Sequence, residues 1–340
     1  MKRQAVFAIV FIGFLVFTGS ALSWGGGGNS SPTADLDVTR KYVILGRSVT
    51  LDGSESGDSD GTIEEHAWDF DYQSSFSPDY TETEVLFPDG MYDKIVEHTY
   101  STTGTYTAKL RVKDNDGAYG YSSEVSISVS YDCDNDGLPD AWETDYFGNL
   151  DYNDVDDYDS DDYSNLCEYL HMTEPNDATD KPEPNATSAV DILVPQDVNS
   201  IQAGLDVAVD FDRIIVAPGR YCETIDFGDV NCTVTSTDPN DWKVVAGTII
   251  DANDIDNDAV IFNSSADSNS MLKGLTITGG GRGIHCNGGS PVVSKCHISE
   301  NGDASFNGAG ARCSSSGAYF KDCIFSNKTG NSGGGISLYE

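Results

Sequence analysis

The sequence predicts a mainly β chain in three unlike parts: a β-sandwich, a short acidic loop segment with small helices, and a parallel stack of strands wound as a β-helix. Three observations predict it. Residues 32–130 alternate polar and apolar with a period of two between turn dipeptides. Residues 132–168 hold fourteen carboxylates and neither Lys nor Arg. Residues 274–340 repeat a short strand pattern every 25–27 positions.

Composition narrows the function. The 340 residues carry 56 acidic and 19 basic side chains, a net charge of -37. Such a chain repels nucleic acid and anionic membranes and attracts divalent cations. The N-terminus reads as an export signal over residues 1–23. Lys2 and Arg3 precede a thirteen-residue apolar run, residues 5–17, too short for a membrane span, and Ala21 and Ser23 suit a signal peptidase. Cleavage would remove two cations and leave a charge of -39. No later stretch is apolar enough to cross a bilayer after signal cleavage. The expected location is secreted or cell-surface, where the eight cysteines can form disulfides.

Residues 24–31 form a Gly/Ser-rich linker. In the sandwich segment, Tyr106, Ala108, Leu110 and Val112 place an apolar side chain at every second position. Val49 and Leu51, and Val125, Ile127 and Val129, do the same. Asp52-Gly53, Asp60-Gly61 and Asp116-Gly117 supply turns. The motifs Leu51-Asp52-Gly53-Ser54, Asp58-Ser59-Asp60-Gly61, Trp68-Asp69-Phe70, His98-Thr99-Tyr100, Gly104-Thr105-Tyr106 and Lys113-Asp114-Asn115-Asp116-Gly117 stand in the order seen in PKD domains. The segment resembles that family throughout, except for an insertion between Asp71 and about Val96. The resemblance implies an immunoglobulin-like sandwich used as a spacer or carbohydrate-associated module. Trp68 is then the core tryptophan, and Asp58, Asp60, Asp69, Asp114 and Asp116 are candidates to converge on one calcium ion.

The acidic segment, residues 131–180, would repel itself into disorder unless a cation neutralised it. Its spacing names the cation. Asp132, Asp134, Asp136, Gly137, Leu138, Asp140 and Glu143 fit a twelve-residue calcium loop at positions 1, 3, 5, 6, 7, 9 and 12. Twenty-five residues on, Asp157, Asp159, Asp161, Asn165 and Glu168 repeat the frame at 1, 3, 5, 9 and 12. Asp162 stands where the first loop has glycine, so the second loop must bend against a Cβ and is expected to bind more weakly. Trp142, Tyr146, Phe147, Leu166, Tyr169 and Leu170 sit where short helices would pack. Asp136-Gly137-Leu138-Pro139-Asp140 and residues 164–170 make the segment resemble thrombospondin type 3-like repeats. Dockerins share the loop spacing, though their helical recognition pattern is not evident. Cys133 and Cys167, one in each loop, are the candidate disulfide.

After a stiff linker at 181–188, residues 189–340 change pattern again. Ile192-Leu193-Val194 and Arg213-Ile214-Ile215-Val216 read as strands. Ile201, Leu205 and Ala208 fall at helical spacing behind Ser200 as N-cap. Gly283-Ile284-His285-Cys286 recurs as Gly310-Ala311-Arg312-Cys313 and again at Gly335. Ser294-Lys295-Cys296 recurs as Lys321-Asp322-Cys323. Strands at this period stack about 4.8 Å apart as ladders. The segment resembles the right-handed β-helices of the pectate-lyase-like superfamily. It stops in mid-coil, so the β-helix is expected to be incomplete. Cys286 with Cys313, and Cys296 with Cys323, form either interior thiol stacks or disulfides between coils; Cys222 and Cys232 could pair across the first.

No nucleophile elbow, zinc helix or phosphate loop is present. A uronate lyase would need calcium and a base. Asp251, Asp254, Asp256 and Asp258 could hold the ion, and Lys273, Arg282, Lys295 and Lys321 are candidate bases. All serve equally as surface charges. The expected function is therefore a secreted calcium-binding protein that adheres to an extracellular polysaccharide or cell-envelope glycan. The alternative is a polysaccharide lyase or hydrolase acting through the β-helix groove.

Overall fold

A computed structural model describes residues 28–83, 94–187, 189–302, 308–327 and 334–339, without the side chains of 254 and 255. The expected signal peptide and residues 24–27 of the linker lie outside the described residues. Mainly β structure is what the chain adopts.

The N-terminal part is a two-sheet sandwich. Its strands are β1 Asp37–Val38, β2 Tyr42–Ile44, β3 Ser48–Asp52, β4 Ile63–Asp69, β5 Tyr80–Thr83, β6 Ile95–Thr99, β7 Gly104–Asp114, β8 Tyr119–Tyr121 and β9 Val125–Ser130. One sheet runs β1-β3-β6; the other runs β2-β9-β7-β4-β5, with β8 on β7. The period-two pattern works as the pleat demands. Ala108, Leu110 and Val112 on β7 are fully buried against Leu51, Trp68 and Ile127. Trp68 is fully buried, so it is a core residue. The insertion after Phe70 adds an edge strand, β5, beside β4.

The acidic segment forms two helices of seven residues, α1 Asp140–Tyr146 and α2 Asn165–His171. Helices this short do not hold in water unaided. Packing holds them: Trp142 and Tyr169 meet with ring centroids 5.7 Å apart. Leu138, Leu166 and Leu170 share one core with the strands that follow.

The C-terminal part is built of parallel strands. They are β10 Asp191–Val194, β11 Arg213–Val216, β12 Gly219–Tyr221, β13 Ile225–Asp226, β14 Thr233–Ser236, β15 Thr248–Phe262, β16 Met271–Lys273, β17 Thr276–Asn287, β18 Val292–Ser294, β19 His297–Ser299, β20 Ala311–Ser314, β21 Tyr319–Lys321, β22 Ile324–Ser326 and β23 Ile336–Tyr339. Helix α3, Ile201–Val207, precedes β11, and α4, Trp242–Gly247, precedes β15. Ser200 caps α3 as expected, its side chain accepting from Ala203 N at 3.1 Å. Gly204 lets α3 lie close on β11, because a Cβ there would stand 3.1 Å from Ile214.

Strands pair in sequence along β10-β11-β14-β16-β18-β21 and along β12-β15-β17-β19-β22. A further row joins β13, β15, β17, β20 and β23. The registers make ladders. Ile192, Ile214, Val234, Leu272 and Val293 stack in line, all fully buried. Phe227 stacks on Phe262 at 4.3 Å. Cys286 lies in register with Cys313. Corners recur with the same backbone. Gly274, Lys295 and Asp322 have φ of 72°, 54° and 54°, and Gly279, Glu300 and Asn327 have 75°, 56° and 47°. The expectation of small corner residues therefore holds only in part. Left-handed φ is tolerated at charged residues where the neighbouring coils fix the bend.

Sandwich, helices and stack are joined by polar contacts, the Arg40–Asp197 pair among them buried. Arg40, just before β2, makes a bidentate pair with Asp197 at 2.7 and 2.8 Å, and the Asp197 side chain is fully buried. Asp197 also accepts from Leu193 N at 2.8 Å. Tyr169 of α2 donates to Tyr42 O at 2.9 Å, and Tyr42 donates to Asp145 at 2.8 Å. At the other end of α2, His171 Nε2 lies 3.0 Å from Asp212, which is fully buried and accepts from Val190 N and Val209 N.

Arg40→Ala leaves Asp197 buried without its cation, and denaturant unfolding should show a loss of about 3–5 kcal/mol. A loss under about 1 kcal/mol would mean that the sandwich separates from the stack in solution.

Candidate metal centre

Each acidic loop runs directly into a helix, which fixes its geometry. In the first, Asp132 accepts from Gly137 N at 3.1 Å and Asp136 from Leu138 N at 2.9 Å. Gly137 has φ 99°, the bend that favours glycine. In the second, Asp157 accepts from Ser160 N at 2.7 Å and Asp162 N at 3.0 Å, and Asp161 from Tyr163 N at 3.0 Å. Asp162 is held at φ 80° despite its Cβ. Ser164 caps α2 by accepting from Cys167 N.

These bonds tie at least one oxygen of each of Asp132, Asp136, Asp157 and Asp161 to the loop backbone. Ligand atoms of Asp132, Asp134 and Asp136 lie within 4.8 Å of one another, as do those of Asp134, Asp140 and Glu143 and those of Asp157, Asp159 and Asp161. Glu143 and Glu168, the fourth residues of α1 and α2, are fully buried, and neither oxygen of either has a hydrogen-bond partner. Asp132 Oδ1, Asp136 Oδ2, both oxygens of Asp159, Asp161 Oδ2 and Asn165 Oδ1 are likewise without partners.

The electrostatic cost is large. Burial, reinforced by Asp136 and Asp134, pushes the Glu143 carboxyl up to about 8. Burial, reinforced by Asp159 and Asp161, pushes Glu168 up to about 8, and burial raises Asp136 to about 6. A buried oxygen without a donor costs about 1–3 kcal/mol, more if charged. A divalent cation of oxygen preference removes that cost, and the donor set of carboxylates, one amide oxygen and backbone carbonyl fits a hard ion.

One acidic neighbour was not legible from the spacing. Asp154 is raised by burial and by Asp156 and Asp132, and it adds in turn to the rise at Asp136. Its charge therefore adds to that of the first loop from the connecting segment. Its position outside the twelve-residue frame hides it from motif reading.

Other expected sites assemble less well. Asp60 accepts from Ser30 N, Asp69 from Asp71 N and Ser77 N, and Asp114 from Asn29, Asp116 N and Ala118 N. Asp58 has both oxygens buried without partners. Among the described residues, no group of three metal-ligating side chains includes any of Asp58, Asp60, Asp69, Asp114 or Asp116. In the stack, Asp251 is ion-paired with Arg220 and Asp258 with Arg282, and His285 Nδ1 lies 2.8 Å from Asp258. Asp256 is exposed, and the Asp254 side chain lies outside the described residues.

The candidate bases do not converge. Lys273 stands in the ladder of Thr235, Ser294 and Lys321 on the β10–β21 sheet. Arg282 lies on β17, bound to Asp258. Lys295 occupies a corner and reaches Asn240. A reading by type and spacing passed over His285, whose Nδ1 lies 2.8 Å from Asp258. All eight cysteines are free thiols. Cys133 is exposed, whereas Cys167 is buried with its Sγ 3.7 Å from His171 Nδ1, so the expected bridge between the loops is not made.

The PKD-domain family model matches residues 29–129. The PKD1 domain of Vibrio anguillarum Epp is 23% identical over 31% of this chain and 99% of that one, with a TM-score of 0.22. The PKD1 domain of the Vibrio cholerae metalloprotease PrtV is also 23% identical, over 29% and 98%, with a TM-score of 0.21. A structure titled for the promiscuous specificity of carbohydrate-binding modules of the β-sandwich superfamily is 27% identical over 31% of this chain, with a TM-score of 0.25; the match spans only 37% of that structure. No curated protein matches the chain. Residues 29–129 are a PKD domain.

Proposed function

We propose that this chain is a secreted or cell-surface adhesive protein that binds an extracellular polysaccharide or cell-envelope glycan, with calcium ions fixing its architecture. The PKD domain is followed by thrombospondin type 3-like calcium loops and a right-handed parallel β-helix. The observation that carries the calcium reading is the pair of glutamates, Glu143 and Glu168, buried without a hydrogen-bond donor. The helix bearing Glu168 also carries Tyr169, bound to the PKD domain, and His171, bound to Asp212 of the stack. An ion at Glu168 thereby braces both neighbours. Export is supported by the N-terminal charge and apolar pattern, and among the described residues no helix is long and apolar enough to cross a membrane. The family match supports the glycan-associated, extracellular setting.

A second reading, polysaccharide cleavage on the stack, has one observation in its favour: Asp258 orients the His285 imidazole beside Arg282. Incubation with pectate, alginate and neutral glycans should give no product on the adhesive reading. Near-ultraviolet absorbance from unsaturated sugar that disappears in His285→Ala would favour cleavage instead.

Calcium titration of metal-free protein should show binding and a rise in melting temperature, because the ion binds the folded state only. No binding and identical melts would remove the calcium reading. Glu168→Gln should weaken calcium binding by at least about tenfold yet raise the melting temperature of the metal-free protein, since it removes a carboxyl that folding must keep protonated against its ordinary pKa. Asp162→Gly should tighten the second loop, because the left-handed bend costs a non-glycine residue about 1 kcal/mol.

The pH dependence has a definite sign. The folded glutamates hold protons that the unfolded chain has released, so stability without metal falls as pH rises from 4.5 towards about 8. Saturating calcium should abolish that fall, and melts of stripped and loaded protein across this window check it.

A further inference from the structure

The outward face of the larger PKD sheet carries a cluster of rings that belongs neither to the core nor to the calcium loops. On β7, Leu110 and Val112 point into the sandwich and are fully buried, so Lys109, Arg111 and Lys113 point outward. Register sets Tyr121 beside Arg111 and Tyr119 beside Lys113, on that same face. Both tyrosines lie on β8, across β7 from β4 and β5, and remain 51% and 44% exposed. Gly120 between them turns to the other face, where a Cβ would collide with Pro32 O, so the segment before β1 can press β8 into place. Residues 70–79 fold back over the outward face. Tyr72 N donates to Thr107 O at 2.8 Å, and the Phe76 ring meets Tyr121 edge-on at 5.6 Å. The Arg111 guanidinium lies 5.0 Å from the Phe76 centroid and 4.8 Å from the Tyr119 centroid. It is paired with Glu65 at 2.7 Å, as Lys109 is with Glu124 at 3.0 Å.

We propose that this platform binds an uncharged polysaccharide by stacking its sugar rings on Tyr119 and Tyr121. The inference rests on the glycan-binding reading above and deepens it, naming the face and the class of sugar. A pyranose ring has an apolar face of C–H bonds that packs on an aromatic ring, and hydroxyls around its rim. Side chains two positions apart on one strand stand about 7 Å apart, so neighbouring sugars of one chain can each meet a tyrosine. Arg111 and Glu65 set donors and an acceptor side by side, the complement of adjacent hydroxyls. Two rings and a carboxylate already hold the guanidinium, so binding a sugar need not order it anew. Charge selects against acidic sugars. Arg111 and Lys109 have carboxylate partners, Lys113 is the one surplus cation among these side chains, and a single surface charge adds little to affinity. The chain as a whole carries a net charge of -37, which repels a polyuronate as it repels nucleic acid.

The test is calorimetry of the calcium-saturated chain at physiological salt, with uncharged hexasaccharides of glucose, mannose and N-acetylglucosamine and with a galacturonate hexasaccharide. At least one uncharged hexamer should bind, and the galacturonate hexamer at least about tenfold more weakly. Tyr121→Ala and Tyr119→Ala should each weaken binding of the uncharged hexamer at least about fivefold, while Tyr121→Phe stays within about twofold. Glu65→Gln releases Arg111 from its counter-charge and should narrow the gap between the uncharged and the galacturonate hexamer severalfold, a gain that a misfolded variant cannot show. Trp242→Ala removes a 45% exposed ring on α4, far from β8 in the chain, and should bind as the parent does. Undiminished binding by the two alanine variants of the tyrosines, or a loss in Trp242→Ala instead, overturns the platform and leaves glycan binding elsewhere on the chain. Galacturonate bound as tightly as the uncharged hexamer, or a gap that Glu65→Gln leaves unchanged, overturns the charge argument and the proposal with it. If the parent sediments as a dimer that Tyr121→Ala splits, the rings meet a second copy of the chain and the proposal falls. If no hexamer binds but isolated cell envelopes do, the platform falls and the adhesive reading stands; if neither binds, both fall.

Discussion

Glu143 and Glu168 are the constraint on which the arrangement of this chain depends. Each is the fourth residue of a helix of only two turns, each is fully buried, and each lacks a donor. Carboxylates so placed work against folding, because burial disfavours the charge and neighbouring aspartates disfavour it further. A segment with no Lys or Arg has no internal cation to relieve them. The loops instead commit backbone N–H groups to Asp132, Asp136, Asp157 and Asp161 and leave other carboxylate oxygens of the loops without partners.

That constraint reaches beyond the loops because α1 and α2 are shared structure. Trp142 and Tyr169 pack between the helices. Tyr169 then bonds the backbone of Tyr42, with Arg40 lying 5.6 Å above its ring and paired with Asp197. His171 bonds Asp212, whose oxygens also gather Val190 N and Val209 N at the start of the stack. Asp197 and Asp212 are buried anions with several donors each, in contrast to the two glutamates with none. Asp197 and Asp212, which the protein satisfies itself, lie at the joints, whereas Glu143 and Glu168, which it leaves open, lie at the ends of the loops.

The parallel part draws its stability from repetition. Its interior ladders are aliphatic, with Phe227 on Phe262 and Cys286 beside Cys313. Its outer charges are largely consumed by neighbours: Asp191 with Arg213, Asp251 with Arg220, Asp258 with Arg282 and His285.

The sequence by itself determined whatever is local or periodic. Loop carboxylates clustered at fixed offsets, the Ser200 cap, the pleat of β7 and the repeat of Cys286 on Cys313 all follow from spacings of a few residues or one coil. The left-handed bend at Asp162 could be foreseen because the frame demands it there. Tertiary structure decided what joins distant residues. Arg40 and Asp197 are 157 positions apart, and no spacing rule selects that pair. Asp154 adds its charge to the first loop from outside its frame, and His285 finds Asp258 a coil away. Cys133 and Cys167 showed the limit from the other side: matched positions in repeated loops placed one thiol in solvent and the other against His171. Local backbone geometry is written in short stretches of sequence, whereas burial and charge pairing depend on which surfaces meet once the whole chain has folded.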